Sequence, residues 1–106
     1  MAIFPMFVAI ALLECVLSRS IPPYELCMEG CGPDPPRRDI AGIRRVELCR
    51  DRCNREERSR CLAAHPNDKP AISKCWTDAR DRCIERCRGE QMCIRICRNL
   101  HAQPAQ

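Results

Sequence analysis

A small all-α fold, a helical hairpin or bundle stapled by nested disulfides in a saposin-like way, is what this sequence predicts, on three observations. Apolar residues recur at steps of three and four along two long segments, the period of a helix with one buried face. Eleven cysteines stand in 106 residues, and most of them fall into C-x-x-x-C pairs at helical i,i+4 spacing. No segment shows the strict alternation of a half-buried strand.

Residues 1–20 read as a signal peptide. Met1 to Leu13 carry no charged side chain before Glu14. Such a run falls short of the roughly 20 apolar residues a bilayer span needs. It matches the apolar region of a signal peptide, with Ser18 and Ser20 offering small residues for cleavage. Cleavage removes Cys15 and leaves an even number of cysteines in residues 21–106, the mark of a disulfide framework in a secreted chain.

The secreted cysteine-rich domain then divides into four parts. Residues 21–38 form a Pro-rich arm, with Pro22, Pro23, Pro33, Pro35, Pro36, Gly30 and Gly32. Only Tyr24 to Glu29 have room for a helical turn or two. Asp39 caps a helix over 39–64, where Ile40, Ile43, Val46, Cys49 and Cys53 share a stripe. The segment His65 to Pro70 is turn-rich, with Asn67 or Asp68 as the next cap. A helix over 70–88 carries Ile72, Cys75, Trp76, Ala79, Cys83 and Cys87 on one stripe and stops at Gly89. A short helix covers 91–100, and the tail from His101 frays.

The large apolar residues after Ile21 are few: Trp76, Tyr24, a handful of aliphatics and no Phe. So small a domain buries too little apolar surface to be secure alone. Disulfides at roughly 2–4 kcal/mol each decide its balance.

Paired cysteines one turn apart project in parallel, a poor geometry for bonding to each other, so each pair latches onto a neighbouring segment. From Cys49 the gaps run 4, 8, 14, 8, 4 to Cys87. Facing residues of an antiparallel hairpin share one sum of residue numbers. Cys49 with Cys87, Cys53 with Cys83, and Cys61 with Cys75 satisfy that rule about His65 to Pro70. Cys27 with Cys97 and Cys31 with Cys93 satisfy it for the outer segments. The expectation is a concentric ladder. Local pairing of Cys83 with Cys97 and Cys87 with Cys93 across Gly89 is the alternative. Cys61 also lies about 120° around the helix from Cys49, which strains the ladder.

This arrangement resembles saposin-like domains, in which nested disulfides clasp a helical hairpin. Ten separated cysteines behind a signal peptide also resemble the large helical toxins of cone snail venom, the con-ikot-ikot class and its saposin-like relatives. The resemblance covers the mature chain as a cysteine and helix pattern. It lacks the adjacent cysteines common in con-ikot-ikot chains, so no family binding residue is carried over.

Charge and residue chemistry narrow the function. The formal net charge is +4, the only lysines are Lys69 and Lys74, and acidic residues alternate with the arginines. That pattern reads as an ion-paired, solvated helix face. Without aromatic stacking platforms it excludes a nucleic-acid groove. His65 and His101 lie beside loops and read as solvated, and a zinc site would need C-x-x-C pairs that are absent. No cofactor loop, metal set or catalytic constellation is visible, so an enzyme is not expected.

The leading expectation is a secreted toxin or similar ligand of an extracellular receptor or ion channel, with a homodimer as one form it can take. An endogenous secreted signal, a pheromone or hormone, is the second reading, with Arg37-Arg38 and Arg44-Arg45 as dibasic processing sites. A saposin-like lipid-interacting or antimicrobial protein is the third. Its apolar stripe is narrow for membrane insertion. Protease inhibition through the Pro-rich loop Gly32 to Arg38 is a further reading, with no specific motif behind it.

The even cysteine count predicts that the secreted chain holds no free thiol. Alkylation of unfolded, unreduced protein should add no mass; stoichiometric labelling would overturn the framework.

Overall fold

The computed structural model describes residues 21–105, so the signal-peptide reading of 1–20, with Cys15, falls outside it. Four helices follow one another: α1 (Pro23–Cys31), α2 (Ile40–Ala64), α3 (Lys69–Arg86) and α4 (Gln91–Leu100). No strand interrupts them among the described residues.

Local chemistry sets each boundary. Pro23 opens α1 at a position whose amide would be unpaired in any case. The helix runs past Glu29 to Cys31, further than the Pro-rich arm suggests, which sets Cys27 and Cys31 one turn apart. Gly32, at φ 84°, then turns the chain out of the helix. The Asp39 carboxylate accepts from the Gly42 amide at 2.9 Å and caps α2. It lies so close over Gly42 that a Cβ there would collide with it. Asp68 caps α3 from the Ala71 amide at 3.2 Å, with Pro70 in the first turn. After α3, Arg88 and Gly89 both adopt positive φ (51° and 84°) and reverse the chain. Glu90 then caps α4, accepting from Met92 and Cys93 at 3.0 and 2.7 Å.

The helices run as a serpentine: α2 packs on α1 and α3, and α4 packs on α3. Disulfides close each successive hairpin. Cys27–Cys53 and Cys31–Cys49 join α1 to α2. Cys61–Cys75 joins α2 to α3 next to their turn. Cys83–Cys97 and Cys87–Cys93 join the end of α3 to α4.

The expected concentric ladder is therefore corrected. Cys49 does not meet Cys87, nor Cys53 Cys83, nor Cys27 Cys97, nor Cys31 Cys93; Cys61 with Cys75 is the rung shared with the structure. The reason is angular. Twelve residues at 3.6 per turn rotate by about 120°, so Cys49 and Cys61 cannot address one partner helix. On α2 the Cys49/Cys53 side meets α1, and the side carrying Cys61 meets α3. The same offset separates Cys75 from Cys87, which sends one side of α3 to α2 and the other to α4. Nesting persists, but within hairpins.

Little apolar carbon is buried. The core is Val46, Ala79 and the half-cystines Cys53, Cys75, Cys83, Cys87 and Cys97. Ile84, Cys93 and Ile94 pack against its α3–α4 end. Ile40, first residue of the α2 stripe, is 77 % exposed, and Leu48, Met92, Ile96 and Leu100 also face solvent.

Two outcomes follow. Partial digestion without reduction should leave Cys83 fragments joined to Cys97 and Cys27 fragments joined to Cys53; a Cys53–Cys83 link would refute the serpentine. Replacing Cys61 and Cys75 together by Ala should cost about 3 kcal/mol, by loop entropy over a sequence separation of 14, in a denaturant melt. The outer hairpins should stay closed in that variant, since each keeps both of its bridges.

Candidate functional site

The α2–α3 interface is polar at its centre. Asn54 is fully buried on α2. Its amide nitrogen donates to the Ala79 carbonyl at 2.9 Å, and its oxygen accepts from Arg82 Nε at 2.6 Å. These two contacts fix the amide orientation, because a flipped amide would set donor against donor and acceptor against acceptor. Arg82 also lies over the Tyr24 ring of α1, 5.3 Å from its centroid, and so ties three helices together.

His101, just past α4, closes the cluster. It is 5 % exposed, against the sequence expectation of a solvated side chain. Arg58 donates to its Nδ1 at 2.8 Å and also contacts the Leu100 carbonyl at 3.3 Å. The other ring nitrogen lies 3.4 Å from the Asn54 amide nitrogen. Both ring nitrogens thus face donors, which disfavours the imidazolium, a donor at both positions; the neutral ring accepts from Arg58 at Nδ1. Burial first, and the Arg58 charge second, push the His101 pKa down to about 4. Arg58 itself stacks on Trp76, 4.2 Å from the ring centroid. Trp76, expected in the core, is therefore a half-buried platform for a cation.

Where the arm crosses α2 it walls an open cleft of about 410 Å³, lined by Asp34, Pro35, Arg37, Ile43, Arg50 and Arg88 among others. Arg50 pins the arm, donating to Asp34 at 2.6 Å and to the Gly32 carbonyl at 3.2 Å. That hydrogen bond and charge hold the Asp34 carboxyl below the usual carboxylate range. Arg86 braces the floor through Asp51 at 2.6 Å. Arg37 and Arg88 stand exposed on the rim. The cleft can take a carboxylate or another forked anion.

The sequence-singled cysteines carry no metal chemistry in this state. The sulfurs of Cys31, Cys49 and Cys53 lie within 4.8 Å of one another, as do those of Cys87, Cys93 and Cys97. Each of these atoms belongs to a disulfide, which offers no thiolate. His65 lies exposed at the C-terminal end of α2. Sequence reasoning missed that cluster. An Asn four residues below Arg58 on the α3-facing side of α2 was its one available signal. No helix among the described residues is long and apolar enough to cross a membrane.

No protein-family model, curated protein or solved structure matches the chain.

The cluster predicts a pH response. With its folded pKa of about 4 below the ordinary 6.5, His101 contributes stability that is fully present above pH 6.5 and is lost as pH falls towards 4. Chemical melts should show a decline of roughly 1–3 kcal/mol across that window. His101→Gln should flatten the slope; an unchanged slope would remove His101 as its source. Asn54→Ala should cost about 2–4 kcal/mol, because it strands Arg82 Nε and the Ala79 carbonyl in a buried setting.

Proposed function

We propose that this chain is a secreted, disulfide-rich toxin or toxin-like ligand that binds and modulates an extracellular receptor or ion channel without catalysis. The observation that carries the reading is the division of arginines over a stapled frame. Arg50, Arg58, Arg82 and Arg86 turn inward as struts, while Arg37, Arg88 and others stand outward and exposed. Five disulfides form and persist in oxidising compartments, which supports secretion. A frame so constrained loses little freedom on binding. Outward guanidiniums supply forked donors for carboxylates on a partner. The likeness in cysteine pattern to cone snail helical toxins supports the same class.

One observation favours an endogenous secreted signal as a second reading. Arg37-Arg38 lies exposed in the turn between α1 and α2, open to a dibasic protease, whereas Arg44-Arg45 lies within α2. A cut after Arg38 would leave α1 held to α2 by Cys27–Cys53 and Cys31–Cys49. Mass spectrometry of the natural product would then show two chains that separate on reduction.

The main reading predicts that oxidised protein of residues 21–106 produces a saturable change in current or binding on cells expressing a panel of channels and receptors. Reduced and alkylated protein should be inactive. Arg37→Gln with Arg88→Gln should weaken the effect about tenfold if the cleft rim makes one forked contact. Equal potency of the oxidised and the reduced, alkylated protein would sink the proposal, as would no saturable response anywhere in the panel.

A further inference from the structure

We propose that the outward face of α2 is a docking strip for a linear sulfated polysaccharide. Arg44, Arg45, Arg52 and Arg55 are all exposed there. At 100° per residue they fall within an arc of about 100°, and they extend along about 16 Å of helix. Arg44, Arg45 and Arg52 border one shallow concavity with Ala41, Leu48 and Cys49.

These charges are uncommitted. Among the described residues, Arg44, Arg45 and Arg55 make no ion pair. Arg52 meets Glu56 only at 3.8 Å, with both side chains half exposed or more. Asp51 and Glu57 are engaged elsewhere, with Arg86 at 2.6 Å and Arg60 at 2.9 Å, and Glu47 lines the cleft beside the arm, away from the strip. Acidic and basic residues that alternate in sequence are thus largely sorted by the helix: the outward arc carries four arginines, and Glu56 at its edge is the one acid that meets them.

The chemistry of the strip selects the occupant. Leu48 and Ala41 are its apolar residues, too few for a membrane-embedded face. It offers no aromatic platform for nucleobases, since Tyr24 and Trp76 lie under Arg82 and Arg58. Leu48 is the one large apolar side chain at its centre, too little for the apolar or aromatic core of a protein interface. Repeated forked donors on a rigid ridge suit repeated sulfates, since two oxygens of each tetrahedral sulfate can accept the paired N–H groups of one guanidinium. Cys27–Cys53, Cys31–Cys49 and Cys61–Cys75 hold α2 rigid on both sides, so the spacing of the donors is set before binding. The inference takes only the extracellular setting from the proposed function, and either can fail alone.

Heparin is the probe. Oxidised protein of residues 21–106 should be retained on immobilised heparin and released by salt, with a heparin oligosaccharide competing in solution. Arg45→Gln with Arg52→Gln should weaken binding at least tenfold at fixed salt. Arg95→Gln with Arg98→Gln removes equal charge from exposed positions on α4 and should change it less than twofold. Arg45→Lys with Arg52→Lys, which keeps the charge but loses the forks, should fall between them. Circular dichroism and unreduced mass should match the parent in every variant. Equal losses in the two Gln pairs would reduce the effect to net charge and overturn the proposal, as would no retention at all. Anionic phosphatidylserine vesicles that displace heparin, or duplex DNA bound equally tightly, would overturn it in favour of those partners. Loss of heparin binding with intact channel or receptor activity would leave the proposed function standing.

Discussion

Cysteines one helical turn apart cannot bond to each other, and the rest of this structure depends on that constraint. Their side chains leave the helix side by side, so each C-x-x-x-C pair demands a second helix running alongside. α1 offers one such pair to α2, and the end of α3 offers another to α4. Between these clamps Cys61 and Cys75 stand about 120° around their helices from the clamp positions. Each long helix therefore has one partner on one side and another partner a third of a turn away. Two helices cover two sides of α2 and leave the remaining arc to solvent.

A frame built this way needs little oil, and it contains little. Cystine sulfur fills the positions that Leu or Phe would occupy in a larger domain. At the α2–α3 contact a buried amide and a set of guanidiniums fill them instead. That choice fixes register as a greasy surface would not. Asn54 is satisfied only when Ala79 and Arg82 stand level with it, and His101 then seats the end of α4 against the same group. A slide of one residue would strand several buried donors at once, each at a cost of about 1–3 kcal/mol.

How much of this could be read from the sequence follows from which constraints are local. The spans of α2, α3 and α4 lie close to where periodicity and the caps Asp39 and Asp68 place them, because caps and stripes act within a few residues. Pairing is not local. Any two C-x-x-x-C pairs on antiparallel helices share one sum of residue numbers, so the concentric ladder and the serpentine satisfy the sum rule equally. The 120° offset of Cys61 breaks the tie; it counts against a shared interface and belongs to a helix with two interfaces. His101 escaped for a different reason: its burial depends on where α4 returns, and that depends on the pairing. The arginine strip on α2 escaped because the charged face reads as ion-paired throughout; that Asp51 turns to Arg86 of α3 follows only from the packing of the helices.

The preference for arginine over lysine can then be divided by role. Arg58 and Arg82 lie on aromatic rings while donating at their edges, and Arg50 and Arg86 each reach a carboxylate and a backbone carbonyl. A lysine ammonium, compact and strongly hydrated, could not make those paired contacts at comparable burial. Structure therefore accounts for four interior arginines. It does not account for Arg44, Arg45 and Arg55, which make no ion pair among the described residues, or for Arg52, which meets only its helix neighbours Glu56 and Cys49 at 3.8 Å. Lysine would keep such a face soluble equally well. Planar, forked donors kept where the fold has no use for them point to contact with oxyanions outside the molecule, each able to accept two N–H groups at once.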